Sequence, residues 1–195
     1  MDMPLDRRTE LLNSIVDALL THGAAEMSLR PLAERVGTSA RLLIYHFGSK
    51  EQLLADAMAE VRLRIQTSLG AYAAQVRPKS LRDLVMMVWD WAVQPANQCY
   101  FRLLFEVDGL TLFDRVHVSQ ATGKAHSAAW IALIERAAER LPAEGPLFQV
   151  HSTLILAALT GLLQEFLSTG DLDRTTAAMS ALIDMIAQAP KGPKS

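Results

Sequence analysis

Between Ser28 and Lys50 the chain sets out side chains suited to one kind of chemistry, directed hydrogen bonding to an anionic polymer. Arg41 has the one guanidinium in the stretch 40–45 that can bond guanine through both its nitrogens. Ala40 and Leu42 beside it can touch thymine methyl groups. Arg30 can reach either a phosphate or a base edge. Ser28, Tyr45, His46 and Lys50 have donors suited to phosphate oxygens. A helix starting at Lys50 would add free backbone amides that favour an anion. Thr38 and Ser39 lie just before this group, where one of them can cap a helix.

Other chemistries find less support. The five histidines, His22, His46, His117, His126 and His151, form no i, i+4 pair and no HExxH or Cys-His metal spacing. Cys99 has no histidine within a helical turn, which favours a buried thiol over a nucleophile. No Gly-rich phosphate loop occurs. No catalytic residue, metal or cofactor is therefore assigned, and the expectation is a protein that is not an enzyme.

The elements that must position these groups are helices. Apolar residues make up 50% of the 195 residues and aromatics only 6%, with Ala and Leu prominent, so propensity points to an all-α protein. Leu11, Leu12, Ile15, Val16, Leu19 and Leu20 make the stripe of a first helix over 6–21, and Gly23 is placed to end it. Ser28 can cap a second helix, whose buried face is Leu29, Leu32, Ala33 and Val36. Gly37 breaks it. A third helix of about eight residues then turns Leu43 and Phe47 inward and leaves Ala40, Arg41, Leu42, Ile44 and Tyr45 outward. Ser49 caps a fourth helix that reaches about Ala74. The two short helices and their glycine turn have the form of a helix-turn-helix, which holds its second helix against the major groove.

Gly37-Thr38-Ser39 with Leu43, then Tyr45-His46-Phe47 and Lys50-Glu51-Gln52-Leu53, resembles the DNA-binding domain of the TetR family of transcriptional regulators. The resemblance covers residues 7–54; beyond them the chain is similar only in length and helix content. It implies a homodimer on a palindromic double-stranded DNA operator, usually as a repressor, released when a small molecule enters the C-terminal domain. Carried over by position, Ala40, Arg41, Leu42 and Arg30 fall on base-reading positions, and Ser28, His46 and Lys50 on phosphate contacts. Two departures stand out. The family commonly has a small residue where Arg41 stands and a tyrosine where Ile44 stands.

Charge adds no support of its own. The chain has a net charge of −2, and residues 1–50 hold six cations (Arg7, Arg8, Arg30, Arg35, Arg41, Lys50) against six acids (Asp2, Asp6, Glu10, Asp17, Glu26, Glu34). A basic domain would have pointed to nucleic acid through phosphate neutralisation alone.

The remainder is expected to continue as helices over 81–94, 95–107, 124–141, 147–167 and 171–189, giving about nine helices in all. The divisions are a DNA-binding head at 1–50, a ligand-binding and dimerisation domain at 51–189 and a disordered tail at 190–195. Met86, Trp89, Phe101, Phe105 and Trp130 are candidates to line a pocket for an apolar or aromatic effector, with His117, His126 or Gln98 to orient it. Ordinary core packing is the competing explanation for each. The helices 147–167 and 171–189 either form half of a four-helix dimer seam or run through the monomer core. One cysteine, no secretory signal and an apolar run (Thr153–Leu163) too short for a bilayer point to the cytoplasm and no membrane. Two other functions stay open: a helical ligand-binding or interaction module with weak or lost DNA binding, and a helical enzyme.

Overall fold

The computed structural model describes all residues except 1–3, 26–27, 114, 116–127, 129, 133–134, 137–144 and 189–195. It is helical, with no strand among the described residues. The helices are α1 (Pro4–His22), α2 (Leu29–Arg35), α3 (Ala40–Phe47), α4 (Lys50–Val76), α5 (Leu81–Ala92), α6 (Pro95–Leu112), α7 (Gly145–Thr169) and α8 (Leu172–Gln188). Helical backbone also occurs at 128, 130–132 and 135–136. The expected 124–141 helix, His117, His126, the Phe148 side chain and the tail 190–195 lie largely or wholly outside the described residues.

The punctuation expected from sequence is in place. Gly23, Gly37, Gly48 and Gly170 have positive φ at helix ends. At Gly37 the turn is a full Schellman motif: Thr38 N–H donates to Ala33 C=O (2.8 Å) and Gly37 N–H to Glu34 C=O (3.2 Å). Ser39 caps α3 through its hydroxyl, which accepts from Leu42 N–H, and Ser49 accepts from Gln52 N–H. Ser80 and Asp83 form a reciprocal capping box on α5. Bonds from the Lys79 and Ser80 amides hold the Asp83 carboxyl below the usual carboxylate range.

Other boundaries are corrected. Val36 is not part of the buried face of α2; the helix ends at Arg35 and Val36 is its half-buried C-cap. Ser28 occupies the N-cap position without a side-chain cap bond. Asp108-Gly109 does not end α6, which runs on to Leu112. Its buried side includes Leu103, Leu104 and Val107, and one interior glycine costs a helix only about 1 kcal/mol. The apolar run in α7 also continues further. His151–Thr169 has a mean hydropathy of 1.3 and could cross a membrane by length and composition, because the helix carries on past Leu163. Only 22% of that window is buried.

The chain forms two compact units, cut differently from the functional division expected at residue 50. One comprises Met1–Ser68 with Ala96–Ser119, the other Leu69–Pro95 with Gln120–Ser195. In the first, the buried side chains include Leu11, Ile15 and Leu19 of α1, Leu32 of α2, Leu43 and Phe47 of α3, Leu53, Val61 and Ile65 of α4 and Leu103 of α6. Arg64 on α4 ties α1 with bonds to Asp17 and Asn13 as well as to Glu60 on its own helix. Partial burial would lower its pKa, but the bonds to Asp17 and Glu60 outweigh this and raise it.

In the second unit α5, α7 and α8 pack on one another. Their buried residues include Leu84, Trp89 and Trp91 of α5, Ile155, Leu159 and Leu163 of α7 and Met179, Ile183 and Ile186 of α8. A polar seam sets the register of α5 against α8. Arg82 pairs with Asp184 and donates to Ser180, while the Trp89 indole N–H donates to Thr176 (2.9 Å). Rising numbers on α5 meet falling numbers on α8, so the two helices are antiparallel.

Two glycines should respond oppositely to alanine. Gly70, inside α4, has nothing within 4 Å of the place a Cβ would take, so Gly70→Ala should raise unfolding stability by about 0.5–1 kcal/mol. Gly23 has φ +78 and its Cβ would stand 2.7 Å from a Glu106 oxygen, so Gly23→Ala should cost about 1–3 kcal/mol. Urea denaturation of both variants checks the contrast.

Candidate nucleic-acid interface

The third helix is short and is braced from behind. Leu43 and Phe47 are 0% and 3% exposed, and α2 packs on α3. Arg8 of α1 supplies three ties that no sequence pattern announces. Its guanidinium lies 4.9 Å from the centre of the Phe47 ring, donates to the His46 carbonyl (3.2 Å) and pairs with Asp56 of α4. Asp56 also accepts from Gln52 Nε2 at 2.9 Å. No periodicity marks Arg8, because its partners lie 38 and 48 positions away.

The opposite side of α3 is open. Tyr45 is 80% and Ile44 38% exposed, and Arg41 is exposed between Ala40 and Leu42, which are half-buried. The His46 ring is half-buried and meets the Tyr45 ring edge-on at 5.2 Å. Lys50 begins α4 directly after the Ser49 cap. Ser28 and Arg30 are exposed at the start of α2, Ser39 is exposed and Thr38 half-buried in the turn. The DNA-binding candidates therefore all belong to α2, α3, their turn and the first residue of α4, within one compact unit.

Two of the cations near the N-terminus are neutralised locally. Arg7 and Arg8 are paired with Glu10 and Asp56. Arg30, Arg35, Arg41 and Lys50 make no ion pair among the described residues; the three arginines are exposed and Lys50 is half-buried.

The effector candidates are divided. Phe101 and Phe105 are half-buried in the first unit; Met86, Trp89 and Trp130 belong to the second. Trp89 is 1% exposed and its N–H is satisfied by Thr176, so packing accounts for it fully. A cleft of about 80 Å³ lies in the first unit, lined by Ala18, Leu19, His22, Ser28, Pro31 and Arg35 among others. It is well below the roughly 300–1,000 Å³ of typical ligand pockets. No group of three His, Cys, Asp or Glu residues could hold a metal among the described residues.

Comparison with known proteins agrees with this geometry. Residues 11–57 match the family described as bacterial regulatory proteins, tetR family, a family of regulators and not of enzymes. Several solved structures share the fold, and three of them illustrate the range. A TetR-family transcriptional regulator from Rhodococcus sp. has a TM-score of 0.70 at 22% identity, over 92% of this chain and 97% of the other. The multidrug binding protein EbrR, complexed with imidazole, has a TM-score of 0.63 at 18% identity, over 92% and 90%. NalD of Pseudomonas aeruginosa, the secondary repressor of the MexAB-OprM multidrug efflux pump, has a TM-score of 0.57 at 18% identity, over 94% of each. No curated protein matches the sequence. The chain thus has the fold of solved TetR-family transcriptional regulators, and residues 11–57, which hold the helix-turn-helix, match that family's model.

Replacing Arg8 with methionine keeps the aliphatic stem and removes the ring contact, the carbonyl bond and the ion pair. Because the side chain is 40% exposed, the expected loss of unfolding stability is modest, about 1–2 kcal/mol by urea denaturation.

Proposed function

We propose that the protein is a ligand-responsive transcriptional regulator, a repressor, that binds a palindromic DNA operator as a homodimer. The observation carrying this reading is the exposed edge of α3, with Arg41 and Tyr45 outward and Leu43 and Phe47 buried behind, inside a segment that matches the tetR family. Arg41, Ala40 and Leu42 read bases; Arg30 reaches a base edge or phosphate. Ser28, Thr38, Ser39, Tyr45, His46 and Lys50 hold the backbone. Residues 1–50 serve as the reading head and 51–189 as the sensing and dimerising body, in the cytoplasm and off the membrane.

The test is binding to DNA flanking the protein's own gene across a salt series. Lys50→Ala should weaken binding evenly across sequences and reduce the salt slope by about 1. Arg41→Ala should cost about 1–3 kcal/mol and relax preference at one base pair. A flat salt response with both variants silent would favour the interaction-module alternative.

A second copy of the chain is the partner that fits α7 and α8. Each carries an exposed, largely apolar stripe, Leu154, Ala157 and Gly161 on α7 and Ala178, Ala181 and Met185 on α8. Leu154 and Met185 are 49% and 64% exposed. Dimerisation would also give the two recognition helices a separation of about 34 Å, as successive major grooves require. Leu154→Arg should convert dimer to monomer in analytical ultracentrifugation and abolish high-affinity operator binding. An unchanged dimer would assign these helices to the monomer alone.

The effector is a small apolar or aromatic molecule taken up by the body, with Phe101 and Phe105 as candidate contacts in the first unit and Met86 and Trp130 in the second. EbrR and NalD, whose names concern multidrug binding and efflux, support that chemistry. Release from DNA requires the effector to bind the free and operator-bound states with different affinity.

A further inference from the structure

We propose that Glu106 is a positioning residue for DNA reading, acting through the backbone turn that leads into the helix-turn-helix. Its carboxylate, on α6, accepts from Ala24 N–H through Oε2 and from Ala25 N–H through Oε1, both at 2.7 Å. Consecutive amides converging on one anion form a nest, filled here by a side chain 82 positions away. Short, charge-assisted bonds to both carboxylate oxygens are the stronger kind.

The local sequence provides little else to fix this turn. Gly23 N–H closes α1 on the Leu19 carbonyl. Beyond it, Ser28 gives α2 no side-chain cap, and α2 has seven residues with no acid in its first turn. The amides of Ala24 and Ala25 are instead held by α6, which sets where the chain leaves α1. The glycine at 23 serves the same contact, since its φ is +78 and a Cβ would meet Glu106 Oε2 at 2.7 Å. Ala25 lies three positions before the Ser28 N-cap of α2, and the Schellman turn at Gly37 joins α2 to α3 and hence to Arg41. The proposal rests on the DNA-binding reading above and adds to it a residue outside the matched segment 11–57.

The test uses the full chain as wild type, Glu106→Gln, Glu106→Ala and, as a stability control, Val61→Ala, which opens the buried core of the same unit without removing the Glu106 bonds. Hydrogen exchange at the Ala24 and Ala25 amides is measured beside affinity for the flanking DNA. Both are taken about 15 °C or more below each variant's melting midpoint, so that the protein stays folded. In Glu106→Ala both amides should exchange faster and DNA affinity should fall about tenfold, the equivalent of one net charge-assisted bond. Glu106→Gln, with one accepting oxygen left, should lie between. Val61→Ala should lower the midpoint and leave affinity within about twofold, because it keeps both Glu106 bonds.

Wild-type affinity in Glu106→Ala with faster exchange would overturn the positioning role. Unchanged exchange would overturn the clamp itself. An equal affinity loss in Val61→Ala would reduce the effect to stability and overturn the proposal too. A wild-type protein without DNA affinity would overturn the regulator reading, a result distinct from the exchange rates.

Discussion

An eight-residue helix has no stability of its own in water, because the cost of nucleating a turn is recovered only over many residues. The third helix, α3, depends on the burial of Leu43 and Phe47. Fully burying each such side chain contributes about 1.5–3 kcal/mol. Once these two point inward, the 3.6-residue repeat leaves Arg41, Ile44 and Tyr45 no direction but outward. The Schellman turn at Gly37, the Ser39 cap and the Arg8 guanidinium over Phe47 then lock the helix at both ends. The exposed edge is thus a consequence of the buried one.

The head holds its shape through long-range polar ties as much as through its core. Arg8 joins α1 to the end of α3 and to α4, Arg64 joins α4 back to α1, and Glu106 joins α6 to the turn after α1. These ties also sort the charges. Arg7 is paired along α1 and Arg8 across to α4, while Arg30, Arg35, Arg41 and Lys50 make no ion pair among the described residues. Position, and not net charge, is what makes a neutral head suited to phosphate.

The second unit follows a different logic. Helices α5, α7 and α8 bury a shared core, and the Arg82 and Trp89 bonds to α8 select one register for it. That core uses only part of the apolar surface of α7. The unused stripe of small and apolar residues suits close approach by another helix, and its counterpart on α8 shares the same spacing.

Much of this was legible from sequence because it is governed by local rules. Helix stripes show as periodicity, and Gly23, Gly37, Gly48 and Gly170 mark ends that need positive φ. Ser39, Ser49 and Ser80 cap helices from within three residues, and the Gly37-to-Lys50 pattern places the candidate interface. Local rules ended the helix expected over 95–107 too early, because the buried side of α6 outweighs the glycine at 109, and they misjudged Ser28, whose hydroxyl makes no cap bond. Arg8, Arg64 and Glu106 were invisible for a related reason: each acts on groups that only folding brings near, and a charged residue on a helix looks the same whether it faces water or a partner. The sequence alone therefore determined which helices form and which edge of α3 faces out. The tertiary structure decided what holds that edge still, because bonds across 38 to 82 residues leave no trace in spacing.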